Sequence, residues 1–370
     1  MYKKFINLVQ KYLYLLQGNS LLNLITLILA SILIPFFEVI GISILLPIFS
    51  LVSQTSSNNQ YSIFLEKTFN YLNLDISIYS LIIVILVIFT IKNFLIISTN
   101  YWTLDFLAKL RKTWSEKLIT KLLSSSSNIQ DINVGNYMSI INFETTRAQN
   151  SYRNLIILFS NLAHIIISSV ILFFISKEAT LLTILLLSFV IIITIFSYRP
   201  FAIFFGSKSK EIDREFIRYT SEIDYGFKQI LLYRVGNSIL TSFIKKIKTR
   251  YKLLVRFSFL TSLPANIFEL LFILILLSSF LYFHNYKNLQ FEQITGIVSV
   301  YILILYKLNG KITGLVNSII MIMGSHMSII TVVEHLNKKN EKTFIKNKKK
   351  KSDFYKNIIL KDIDLKLKNK

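Results

Sequence analysis

The chain has no cysteine, so neither a disulfide framework nor a thiolate metal site can form. Histidine is nearly as scarce. The four present (His164, His284, His326 and His335) lie far apart, without the spacing of metal ligands. Acidic residues are in short supply: 20 Asp+Glu face 42 Lys+Arg, a formal charge of +22. All charged residues together make up 17% of the chain, too few for an ordinary soluble protein of 370 residues. Nothing matches G-x-x-x-x-G-K-[ST], the loop whose backbone amides and lysine hold the phosphates of ATP, so catalysis of ATP hydrolysis by these residues is excluded.

What the chain has instead is oil. It is 53% hydrophobic, with a mean hydropathy of +0.53. Six runs approach or exceed the roughly 20 residues that cross the hydrocarbon of a bilayer. They cover 21–51, 76–98, 155–175, 181–196, 267–283 and 294–333. The first contains Pro35, Glu38 and Pro47 and is longer than one crossing needs. The third and fourth are separated by Ser176-Lys177-Glu178-Ala179-Thr180, read as a tight turn. Residues 1–20 read as an amphipathic helix at the membrane interface, with Phe5, Leu8, Val9, Tyr12, Leu15 and Leu16 on its apolar side. No cleavage site of a secretory signal follows.

Charge sets the expected orientation. Lys109, Arg111, Lys112, Lys117, Lys121, Arg147 and Arg153 lie between runs two and three, and thirteen more lie between runs four and five, from Arg199 to Arg256. The other connections carry one each: Lys67, Lys177 and Lys287. Positive charge stays inside, so both termini and both basic segments are expected in the cytoplasm, in an inner (plasma) membrane. The tracking of basic residues with span flanks argues against nucleic acid as a partner. Both segments are helical in pattern, through Leu110, Trp114, Leu118 and Leu122 in one and Phe243, Ile247, Tyr251 and Leu254 in the other. Spanning helices that run on for 20 residues would reach about 30 Å beyond the bilayer. The alternative is a loose basic loop on anionic lipid. The hairpin tips are expected at Ser127, Asn128, Ile129, Gln130 and Asp131, and at Glu222, Ile223, Asp224, Tyr225 and Phe227, the second within a short amphipathic element ending before Gly236. Apolar groups in such a place suit a partner's groove.

The tail divides into a basic linker, 337–356, and an alternating stretch, 357–370, patterned as a strand. A lone strand cannot fold by itself, so the stretch reads as the start of a further domain.

Five segments carry a resemblance. "NIILKDIDLKLKNK" at the tail looks like the opening strands of an ABC nucleotide-binding domain. "PFFEVIGISILLPIFSLV", "IKNFLIISTNYW", "SLPANIFELLFILIL" and "LILYKLNGKITGLVNSI" resemble, in order, membrane helices of ABC exporters. Within that family the chain is most similar to lipid-linked oligosaccharide flippases and related polysaccharide exporters. The resemblance implies an all-α six-helix transmembrane domain over 21–336, extended into the cytoplasm. It implies a homodimer with helices four and five crossed to the partner, and coupling helices near 126–133 and 222–231. ATP and Mg would be bound by a nucleotide-binding domain in cis or in trans, and no cofactor by this chain. The expected cargo is an amphipathic or lipid-linked saccharide moved across the bilayer by alternating access.

Ionisable groups inside the spans are candidates for the cargo site, since each costs roughly 2.5–3.5 kcal/mol to insert. They are Glu38, Lys92, Glu269, and Lys307 with Lys311 one turn apart. Lys92 and Lys307 are read as binding an anionic head group such as a pyrophosphate, and the resemblance supports basic residues at both places. It departs at Ala265, beside Pro264, where the family tends to carry another basic residue. The structural alternatives are interhelical ion pairs and snorkelling lysines. Competing functions are a peptide or toxin exporter, an inactive truncated product, and a membrane glycosyltransferase or polymerase, whose acidic constellations the short connecting loops lack.

Overall fold

The computed structural model describes residues 2–16, 20–45, 48, 77–124, 134–175, 177–287 and 291–337, and all regular structure among them is helical. Helix α1 covers Tyr2–Leu15, α2 Ser20–Ser43, α3 Ile78–Ser124 and α4 Val134–Ser139. A π-helical turn, Ile140–Glu144, joins α4 to α5, Thr145–Ile175. Then come α6, Lys177–Tyr225; α7, Phe227–Leu232; α8, Gly236–Lys287; and α9, Phe291–Asn337. Six of these (α2, α3, α5, α6, α8 and α9) are long and apolar enough to cross a membrane, which makes this a multi-pass membrane protein. The tip at 127–131, the linker and the strand-patterned tail lie outside the described residues.

Two expectations need correction. The turn expected across 176–180 is narrower, because α6 is already helical from Lys177; no Gly or Pro interrupts this stretch, so the backbone resumes its hydrogen bonds at once. The element expected between 221 and 236 is divided at Gly226, which leaves the helical conformation at φ −92° and ψ 7°. Glu222 to Tyr225 therefore end α6, and Phe227 opens α7.

The extended stalks are present. Helices α3, α6 and α8 run unbroken from apolar spans into basic segments, with 47, 49 and 52 residues. Pro200 and Pro264 are accommodated inside α6 and α8.

The bundle has two buried cores. One lies among the spans, around Leu172, Phe268, Phe272, Leu305 and Ile312. The other lies at the stalk end, around Leu107, Trp114, Leu118, Ile140, Tyr152 and Val332. Leu110, Trp114 and Leu118 all point into this second core, as their helical spacing required. Here α1 is fastened by its own C-terminal carbonyls, which an ending helix leaves without partners. Tyr152 donates its hydroxyl to Tyr12 O at 2.7 Å, and Trp114 donates Nε1 to Leu15 O at 3.1 Å. The Tyr12 hydroxyl is 2.5 Å from Ser151 Oγ, and burial raises its pKa while that hydrogen bond opposes the rise.

Helix α9 is the central one. Half of its most apolar window is buried, against 11% for α3. It packs on α5 along much of its length and also meets α6 and α8. Between apolar helices in lipid there is no hydrophobic drive to associate, so close backbone contact at small residues does the work. Gly206 of α6 lies against Gly324 of α9 so tightly that a Cβ on Gly206 would overlap the Gly324 carbonyl. Gly206→Ala is expected to cost about 1–3 kcal/mol, because the obstacle is backbone and cannot swing aside. Thermal unfolding in lipid nanodiscs measures it, with Gly310→Ala, where a Cβ meets nothing within 4 Å, as the silent control.

Candidate functional site

Glu38 sits on α2 three residues after Pro35, with its side chain only 5% exposed. A carboxylate cannot remain charged among apolar helices unless cations answer it. Three lysines from two other helices do. Lys307 Nζ is 3.0 Å from Glu38 Oε1, Lys92 Nζ is 3.5 Å from the same oxygen, and Lys311 Nζ is 4.0 Å from Oε2. Lys92 also lies over the Phe89 ring, 5.1 Å from its centre. The cluster thus joins α2, α3 and α9 and carries two positive charges more than Glu38 neutralises.

Two glycines allow this convergence. Gly41, nearly one turn beyond Glu38, lets Phe89 of α3 approach until a Cβ would stand 2.8 Å from its ring. Gly314, just past Lys311, leaves the same room for Asn161 of α5, at 2.6 Å. One turn along α5 from Asn161 lies His164, fully buried, with neither ring nitrogen hydrogen-bonded among the described residues.

The cations differ in access. Lys92 is nearly closed off at 11% side-chain exposure, whereas Lys307 is 43% exposed and Lys311 32%. All three pair with Glu38, Lys307 most closely, and since one carboxylate offsets one cation, the more accessible lysines of α9 also present positive charge at the site. Such point charges bind phosphate and other anionic oxygens. Glu269 does not join them. It is exposed on α8 and makes no ion pair among the described residues. Ala265 is half-buried beside the buried Pro264.

A second network fastens the α6–α8 arm to the body. Buried Asp213 of α6 receives Arg147 of α5 and, at 2.9 Å, Nε of Arg250 of α8. Arg147 also donates to Ser209 Oγ at 2.6 Å, and its other terminal nitrogen is 3.8 Å from Glu144 in the π-helical turn. Arg250 lies over the Phe216 ring at 4.8 Å. Beyond this joint α6 and α8 hold each other, through Phe216 and Tyr219 stacked on Phe243 and Lys246 paired with Glu215 at 3.6 Å.

The arm ends in an apolar knob. Tyr225, Phe227, Leu231, Leu232 and Tyr233 are all exposed, and no residue of α7 is buried. Glu222, by contrast, pairs with Arg218 along α6 at 3.5 Å, and Ile223 and Asp224 flank it on the same last turn. The turn into α8 places Arg234 in the left-handed region, at φ 53°.

Sequence reasoning singled out Glu38, Lys92 and Lys307, and the structure brings these three together. It weighed Lys311 chiefly as an interhelical ion pair or a snorkelling side chain, the first of which the structure shows, and passed over His164 and Asp213. The i, i+4 spacing already placed Lys311 on the face of Lys307, whereas nothing local marks His164 or Asp213. No family model matches the chain, and no curated protein sequence matches it.

Removing one member of a buried ion pair strands the other. Glu38→Gln is expected to destabilise the protein by about 3 kcal/mol, and adding Lys92→Met to recover a large part of the loss. Thermal unfolding of the single and double variants in nanodiscs measures both. At the arm, Asp213→Asn should raise the rate of disulfide trapping between cysteines placed on the tip and on the body. The natural chain has no cysteine to interfere with that reading.

Proposed function

We propose that this chain is the membrane-spanning part of an ATP-driven exporter or flippase of the ABC type. It carries an amphipathic, anionic cargo of the lipid-linked saccharide kind by alternating access. The observation that supports this best is the Glu38 cluster, whose three lysines exceed its one carboxylate by two positive charges, with Lys307 and Lys311 the more accessible of the three. An anion bound there would balance a charge that the bilayer otherwise penalises.

Three further features agree with the reading. By the lysine and arginine bias, the stalk end, with both termini, would lie in the cytoplasm of an inner membrane. The stretch of α6 from Arg199 to Tyr225 would then project about 39 Å inward. Its apolar knob, with Tyr225 and Phe227 beside Glu222, would seat in a nucleotide-binding domain supplied in cis or in trans. The exposed apolar flank of α8 (Tyr251, Val255 and Phe259) would be covered by a second copy, in a homodimer whose arms cross. ATP and Mg belong to the nucleotide-binding domain. Their work reaches the spans only through the different affinities of two states for nucleotide.

Within this scheme the residues divide their tasks. Lys307 and Lys311 meet the anionic group, Lys92 holds Glu38 charged, and Asp213 with its two arginines passes the motion of the arm to α5. The test is transport of a pyrophosphate-linked saccharide lipid in proteoliposomes, with a nucleotide-binding domain present. Lys307→Ala should lower the rate about tenfold or more, the loss of one charge-assisted contact. Lys92→Ala should lower it as well, by freeing Glu38 to compete for the other lysines. Full activity in both variants would remove the anionic-cargo reading, and transport of a neutral amphiphile alone would redirect it.

A further inference from the structure

Away from the lysine cluster, a groove of about 860 Å³ opens at the stalk end, between α1, the first turns of α2, the C-terminal half of α3 and the end of α9. Its lining on α3 begins at Trp102 and ends at Lys121. Nineteen helical residues measure about 28 Å, so the groove is long as well as large. A volume of this order takes a whole ligand rather than a single ion.

The chemistry of the walls is mixed. Lys109, Lys117 and Lys121 bring donors, and the amides of Asn23 and Asn337 bring both donors and acceptors. Asp105 and Glu116 bring acceptors, and both already answer a lysine, Lys109 at 2.6 Å and Lys112 at 3.7 Å. Thr113 and Thr120 spend their protons on carbonyls of α3, at Lys109 and Glu116, so toward a ligand their hydroxyls act as acceptors. Thr26 does the same on α2, toward Asn23. A phosphate or a carboxylate uses donors only and would leave the acceptors of this set unmatched. A hydroxyl donates and accepts, so a polyhydroxylated ligand can use every one of them.

The position adds a second constraint. The groove opens where the apolar flanks of α2 and α3 begin. Leu22, Ile25 and Leu29 on one helix, and Ile97, Tyr101 and Leu104 on the other, are exposed there. Trp102, 57% exposed, stands at this boundary, where an indole is at home between lipid and water. Its flat face can take the C–H face of a pyranose ring.

We infer that the groove is a docking site for the saccharide head group of a membrane glycolipid, held at the stalk end beside the spans. This deepens the transport reading and rests on it for its purpose, as the place where cargo is collected before it meets Lys307. Binding, however, is measurable without transport.

Both tryptophans of the chain, Trp102 and Trp114, line this groove, so intrinsic fluorescence reports on it alone. The protein in nanodiscs is titrated with diglucosyl diacylglycerol, phosphatidylglycerol or phosphatidylcholine. A saturable change with the glycolipid, absent with the two phospholipids, is expected. The doubly substituted Asn23→Leu, Asp105→Leu protein should bind it about tenfold more weakly, the loss of roughly two hydrogen bonds. Both positions are exposed, so the fold should survive the change; Lys117→Gln should bind nearly as the natural protein does. A response to phosphatidylglycerol alone, lost in Lys117→Gln, would make this an anionic-lipid site and overturn the inference. So would equal responses to all three lipids, no response, or unaltered affinity in the double variant. If glycolipid binds as expected but no saccharide lipid is transported, the groove stands and the transport reading falls. If transport persists in the double variant and glycolipid binding is absent, the reverse holds.

Discussion

Among the described residues Glu38 is the one buried acid inside the apolar runs, and much of the arrangement of the bundle follows from keeping it charged. An isolated carboxylate in hydrocarbon would cost many kcal/mol, so it must be met by cations from neighbouring helices. That requirement fixes the rotation of α3, which must turn Lys92 inward, and of α9, which must turn Lys307 and Lys311 to the same point. It fixes spacing as well. Lysines reach only as far as their stems allow, and Gly41 and Gly314 remove the side chains that would hold the helices apart. The surplus of positive charge then follows, because the number of lysines exceeds what one carboxylate can absorb.

Much of this fold could be read from composition and period. The six apolar runs each became a spanning helix, and the unbroken helical pattern through Leu110, Trp114 and Leu118 announced that α3 would continue past the apolar run. Such features are local: a run of oil or a repeat of 3.6 is visible in one segment. The pairings are not. Asp213 looks like one acid in a basic segment, and only tertiary contact shows it held between Arg147 and Arg250. His164 looks like an isolated polar residue in an apolar run until its burial beside Asn161 and Gly314 is known. Glu269 shows the opposite limit. A charge near the end of a span reads as a site candidate, but the face of α8 that carries it turns away from the lysines. The boundary at Gly226 was missed for another reason, since a glycine in an otherwise helical pattern can be tolerated as easily as it can end a helix.

The two cores differ in what holds them. The one between the spans has little but close fit and small residues to draw on, because lipid is as apolar as leucine. The stalk-end core has aromatic contacts, with Tyr12 and Trp114 both packed on Tyr152, and hydrogen bonds that finish the open end of α1. The stalk end is accordingly a firm platform of α1, α3, α5 and α9. From it the α6–α8 arm extends, fastened by the Asp213 carboxylate, by the Lys210 bond to Thr331 and by the close approach of Gly206 to Gly324.

Where α6 crosses α9, Gly206 and Gly324 bring main chain against main chain. With Lys210 bonded to Thr331 beyond this point, the two helices can turn about the bare contact more readily than slide, since sliding drives a side chain into backbone. The crossing is therefore a fulcrum, with the arm tip on one side and the outer halves of the spans on the other. A small sideways swing of the tip would be returned at the far end with its direction reversed.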